Sequence, residues 1–164
     1  QYWMRILSVD DFIMRGSFDG VDATMLRKTV PLLKDRAHSF SEAREMLSGE
    51  LSCLFGDPVL DSEHLVLKEL PDTPGMTKRA LESLSEALKA LPEGLSAEAV
   101  KEELMPLADA EEAKGKGGRG AVLWPLRYAL SGQDRSPDPF TLVSILGPEE
   151  SLSRIQKALG ILEK

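Results

Sequence analysis

Between residues 120 and 147 two apolar segments stand one after the other, each closed by a glycine, with a polar turn between them. In the first, Leu123, Leu126, Ala129 and Leu130 return at three- and four-residue steps and share one face of a helix. That spacing predicts a helix over 121–130, with Arg127 on it and Gly132 in the left-handed position after its last turn. Ser136-Pro137 reads as the opening of a second short helix over 140–146, the hydroxyl capping and the proline sitting where no donor is needed. Gly147 stops it. The polar run Gln133-Asp134-Arg135-Ser136-Pro137 is then clamped between two buried helices, and loops held in this way often carry recognition.

The rest of the chain repeats the same grammar. Ser8 with Asp11 is a helix start, broken by Gly16 to Gly20. Asp22 caps a helix over 23–36 with Met25, Leu26, Val30 and Leu33 inward and Pro31 placed to kink or split it. Ser39-Phe-Ser-Glu42 is a capping box for a helix through Met46 and Leu47. A short helix is expected over 61–70. Thr73-Pro74 starts a longer one over 75–91, with Met76, Ala80, Leu81, Leu84, Ala87, Leu88 and Leu91 inward. Ser96 caps a helix over 97–113 with Val100, Leu104, Leu107 and Ala108 inward, interrupted at Pro106. The last helix opens at Pro148-Glu149-Glu150, its acids at the positive end of the dipole, and turns Leu152, Ile155, Leu159 and Leu162 inward. Neither a strand-like alternation of useful length nor an internal repeat occurs, so the fold class is all-α. Gly56-Asp57-Pro58 punctuates the chain and marks the boundary between two small helical subdomains, 1–56 and 57–164.

Composition narrows the function. Hydrophobic residues make up 42% of the 164 residues and charged ones 29%, the balance of a soluble globular chain. Aromatics at 5% are too sparse for a platform that stacks single-stranded nucleic acid. Cys53 stands alone, which excludes an internal disulfide and a cysteine-cluster metal site and reads as a small core residue in a reducing compartment. No signal peptide and no membrane-length apolar run is present. A start at Gln1 with Trp3 close behind looks like a cut from a longer chain. The net charge of -7 argues against nucleic acid, yet its distribution does not: from Lys114 to Arg135 there are five bases and one acid, Asp134.

Few residues group in a way that could perform chemistry. Gly115-Lys-Gly-Gly-Arg-Gly120 spells G-x-G-x-x-G, but a helix precedes it and no strand follows, so dinucleotide binding is not its meaning. Either it is a flexible connection, or Lys114, Lys116 and Arg119, beside a helix N-terminus and near Arg135, meet a phosphate backbone. His38 and His64 have no companion ligands. The pairs Glu102-Glu103, Glu111-Glu112 and Glu149-Glu150 diverge on a helix and read as solvated faces. On pattern alone, Arg127 reads as an arginine that snorkels or satisfies a neighbouring helix's carbonyls.

The segments WPLRYALSGQDRSPDPF, from Trp124 to Phe140, and ILGPEESLSRIQKAL, from Ile145 to Leu159, resemble the C-terminal end of bacterial-type glutamyl-tRNA synthetase. That family's run reads approximately P-L-R-x-A-L-[ST]-G, then [ST]-P-x-x-F, then L-G-x-E-x-x-L-x-R. Looser similarity reaches back to Gln1. The resemblance implies an all-helical anticodon-binding region, with residues 1–56 holding the end of the stem-contact segment and a first anticodon-binding subdomain, and 57–164 a second. It implies that Arg127 contacts anticodon nucleotides, beside a loop that maps onto Ser136, Pro137, Pro139 and Phe140. Pro139 stands where relatives carry a larger apolar residue such as leucine, and Asp138 where glycine is common. Arg36, with Lys34 as its near competitor, matches the arginine that reaches the third anticodon base. The expected partner is glutamate tRNA, bound in the cytoplasm by a monomer. The parent enzyme's ATP and Mg²⁺ belong with H-I-G-H-like and K-M-S-K-S-like motifs, which this chain lacks, so no catalytic residue and no cofactor is expected in it.

Two readings therefore remain: tRNA anticodon recognition, and an all-helical protein-interaction module without an RNA role. The motif from Pro125 to Phe140 favours the first. Net charge and scarce aromatics favour the second.

Overall fold

A computed structural model of the chain describes residues 2–18, 20–56, 58–65, 76–113, 120–133 and 136–162. Among these every regular element is helical and no strand occurs, so the fold is all-α. The chain forms two compact units, Gln1–Gly56 and Asp57–Lys164.

The first unit holds α1 (Tyr2–Arg5), α2 (Val9–Gly16), α3 (Ala23–Arg36) and α4 (Phe40–Ser48), followed by a 3₁₀ turn at Ser52–Leu54. Each longer helix begins where a side-chain oxygen can take up an orphan N–H. Ser8 Oγ accepts from Asp11 N at 3.1 Å, Asp22 Oδ1 from Met25 N at 3.0 Å and Ser39 Oγ from Glu42 N at 3.1 Å. Glu42 answers by accepting from His38 N at 2.7 Å, which closes the box. Phe12, Leu26, Val30, Leu33, Ala43 and Leu51 are buried together, and the Phe12 ring lies edge-on to Phe40 at 5.2 Å and stacks on Phe18 at 5.7 Å. Pro31 does not split α3 as its position predicts. It lies on the exposed face, where the bond that its missing N–H cannot make costs least.

The second unit holds α5 (Ser62–Leu65), α6 (Met76–Lys89), α7 (Ala97–Ala113), α8 (Gly120–Ser131), α9 (Pro139–Leu146) and α10 (Pro148–Leu162). Thr73, Pro74 and the rest of 66–75 lie outside the described residues, as does most of the G-x-G-x-x-G run. Helix α8 is the centre: it packs against α5, α6, α7, α9 and α10. A helix surrounded on all sides must be apolar nearly all round. Val122, Pro125, Leu126, Tyr128, Ala129 and Leu130 are accordingly buried, and Arg127 is the charged exception. Around α8 lie Leu81, Leu84 and Leu88 of α6, Val100 and Leu104 of α7, Leu142 and Val143 of α9, and Ile155 of α10, all essentially inaccessible to water. Each such side chain contributes roughly 1.5–3 kcal/mol through burial. Pro106, expected to interrupt α7, again sits exposed in an unbroken helix. On α10 the inward line is Ser151, Arg154, Ile155 and Ala158, whereas Leu152, Leu159 and Leu162 are only half-buried.

Candidate nucleic-acid interface

The site is built at the end of α8. The last carbonyls of a helix have no partner within it, so the chain must cap them. Gly132 does this in the left-handed conformation at φ +66, donating its N–H to Tyr128 O at 2.7 Å. A side chain there would meet Pro58 Cβ at 2.8 Å and Val59 O at 3.0 Å, so glycine is required twice over. Ser131 Oγ then accepts from Gln133 N and donates to Gln133 O, both at 3.2 Å. Tyr128 adds a tether, its hydroxyl accepting from Asp61 N at 3.0 Å.

The loop returns to the same helix through Arg127. Its Nε donates to Ser136 Oγ at 2.9 Å and its Nη2 to Ser136 O at 3.2 Å. Ser136 Oγ in turn donates to Pro137 O at 3.0 Å. Both Arg127 and Ser136 are half-buried. The arrangement holds a permanently charged, planar donor in one orientation at the rim of a polar loop, a geometry suited to a base edge or a phosphate.

Helix α9 does not begin where the Ser136-Pro137 pattern places it. Asp138 is its cap, Oδ1 accepting from Thr141 N at 3.0 Å and Oδ2 from Thr141 Oγ1 at 2.7 Å, with Pro139 as the first helical residue. An acid in front of a proline is the stronger start signal, because carboxylate, dipole and missing N–H all agree. Ser136 is thereby released to brace Arg127.

Five of the candidate residues thus lie on one stretch of the second unit: Arg127, Ser136, Pro137, Pro139 and Phe140. The last three are buried, Phe140 to 7% exposure, whereas Arg127 and Ser136 remain half-open to solvent. Arg36 ends α3 in the first unit, exposed, its Nη1 3.6 Å from Glu50 Oε1. Lys34, its competitor by sequence, is engaged by the carbonyl of Leu7. Lys114, Lys116, Arg119 and Arg135 lie outside the described residues. Among the described residues no group of three or more His, Cys, Asp or Glu could hold a metal ion.

Arg154, the last residue of the L-G-x-E-x-x-L-x-R run, has no role assigned to it by the sequence. It is 3% exposed, its Nη1 donates to Leu130 O at 2.7 Å and its Nε to Glu150 Oε1 at 3.0 Å. The readable signal was Glu150 four residues before it on one helix face. The reach to α8 was not readable. Thus the role expected of Arg127 on pattern alone, satisfying a neighbouring helix's carbonyl, is filled by Arg154.

Residues 3–159 match the profile of the family described as "Anticodon binding domain". The chain belongs to that family. Membership supports anticodon recognition over a protein-interaction module without an RNA role. Relatives of the family member agree. It is 36% identical over 143 residues to glutamate–tRNA ligase 2 of Rhizorhabdus wittichii, covering 87% of this chain and 28% of that protein. To the glutamate–tRNA ligase of Clostridium acetobutylicum it is 30% identical over 169 residues, covering 99% of this chain and 33% of the relative. A crystal structure of a glutamate tRNA ligase from Elizabethkingia meningosepticum superposes with a TM-score of 0.69 at 27% identity, over 98% of this chain and 31% of that one. This anticodon-binding chain therefore spans a third or less of the length of these relatives. Among its described residues no helix is long and apolar enough to cross a membrane.

Proposed function

We propose that this chain reads the anticodon of glutamate tRNA on behalf of a glutamate–tRNA ligase. The observation that carries the reading is the Arg127–Ser136 brace, which fixes a guanidinium at the rim of a loop in a chain of the anticodon-binding family. An unstacked anticodon base shows its Watson–Crick edge to the protein, and an arginine whose plane is already set loses little freedom in meeting it. Lys114, Lys116, Arg119 and Arg135 supply phosphate contacts. ATP-dependent ligation of glutamate, with Mg²⁺, belongs to a catalytic portion outside this sequence. The anticodon-reading part works as a cytoplasmic monomer and needs no cofactor of its own.

Arg36 sets the choice between glutamate and glutamine tRNAs in this reading. The two differ at the third anticodon base, cytosine against guanine. Cytosine offers O2 and N3 as acceptors to a donor-only arginine, whereas guanine opposes it with N1 and N2 donors.

Titrating the chain with glutamate tRNA at increasing salt tests the proposal. Binding that weakens with salt, with a slope reporting several phosphate contacts, is the expected result. No binding at low salt would overturn it.

A further inference from the structure

Arg154 is a charge on the buried face of α10. Its side chain is 3% exposed, within a helix whose neighbouring positions Ser151, Ile155 and Ala158 are buried. A buried charge is costly unless every donor is well met, and an apolar side chain of similar volume would often serve stability as well. Bonds from the guanidinium run in different directions. Nε takes the Glu150 carboxylate one turn back on α10, at 3.0 Å. Nη1 takes the backbone carbonyl of Leu130 on α8, at 2.7 Å. Leu130 is one turn beyond Arg127 and two residues before Gly132, whose left-handed turn launches the loop that Arg127 grips through Ser136. The turn that receives Arg154 is therefore the one next to Arg127.

We infer that Arg154, oriented by Glu150, is a positioning residue for RNA reading: it fixes the last turn of α8 and with it the direction of Arg127. The inference rests on the anticodon-reading role proposed above for Arg127, and it adds a residue that need not touch RNA. Arginine is required because a lysine ammonium cannot hold the Glu150 and Leu130 oxygens in the geometry of a planar fork.

The test follows the Arg127 Nε–H by NMR in the RNA-free chain, together with tRNA affinity and melting temperature, in wild type, Arg154→Lys, Arg154→Met and Leu88→Ala. Leu88, buried in α6, serves as a control for destabilisation alone. In both Arg154 variants the Arg127 Nε–H should exchange with solvent at least about tenfold faster and tRNA affinity should fall about tenfold, the scale of one lost hydrogen bond to a charged group. Leu88→Ala should lower the melting temperature and move neither. Adding Arg154→Lys to Arg127→Ala should cost no further affinity, because coupled residues do not add. Arg154→Lys keeps the charge and reports even where Arg154→Met fails to fold. If the Arg154 variants lower the melting temperature but keep the Arg127 Nε–H protected, Arg154 is structural only and the inference falls. If wild type binds no tRNA, the anticodon-reading role falls, while the exchange of the Arg127 proton still decides whether Arg154 aims it.

Discussion

Arg127 and Ser136, nine residues apart on either side of a polar loop, are joined twice: guanidinium to hydroxyl at 2.9 Å and guanidinium to carbonyl at 3.2 Å. One arginine thus closes the loop and occupies its rim. In the proposed reading loop conformation and RNA contact are coupled, because removing the side chain removes the brace and the base contact together.

Arg127→Ala should weaken glutamate tRNA binding by about 1–3 kcal/mol, the range for a lost bond to a charged group. Stability should fall by only about 1 kcal/mol, since the group is half-buried and its serine partner can turn to water. Calorimetric titration and urea unfolding on the same preparation measure the two. A large stability loss with unchanged affinity would make Arg127 a packing residue.

Asp138 takes the capping role that the sequence assigns to Ser136, and substitution separates the two. Asp138→Ala removes the α9 cap and should cost about 0.5–2 kcal/mol in urea unfolding. Ser136→Ala leaves that cap intact and should reveal itself in tRNA affinity more than in stability. The opposite pattern would restore Ser136 as the cap.

Gly132→Ala should destabilise the second unit by about 1–3 kcal/mol, the usual cost of forcing a side chain into this backbone region. The added methyl also meets Pro58 Cβ at 2.8 Å. A neutral result in thermal unfolding would show that the segment at Pro58 gives way freely.

Much of this was legible beforehand, and the exceptions share a cause. Asp22, Ser39 and Ser96 announce their helices because a cap acts on a backbone N–H three residues away, within reach of a local pattern. Pro31 and Pro106 misled because a proline's effect depends on which face it occupies, and exposed faces tolerate it. Ser136 misled because two start signals overlap, and Asp138-Pro139 is the stronger. The role of Arg154 was invisible because it lies in the carbonyl of Leu130, 24 residues earlier, and no local spacing encodes that contact.

Arg36 faces Glu50 at 3.6 Å with its side chain 40% exposed, and such surface pairs contribute roughly 0–1 kcal/mol. RNA can displace Glu50 at little cost. Wild-type chain should therefore prefer glutamate over glutamine tRNA by about 1–3 kcal/mol, the penalty for opposing donors. Arg36→Gln should shrink that preference, since glutamine can donate or accept. An unchanged ratio in competition binding would remove Arg36 from the role of selector.

The most direct test of anticodon reading holds the RNA constant except for three bases. Glutamate tRNA and the same molecule with its anticodon replaced are titrated against the chain at one salt concentration, with wild type and Arg127→Ala. Phosphate contacts are common to both RNAs, so any difference reports base reading. Wild type should bind native tRNA at least about tenfold more tightly, one lost base contact's worth, and Arg127→Ala should narrow the gap. Equal affinity of the wild-type chain for both RNAs would contradict the account.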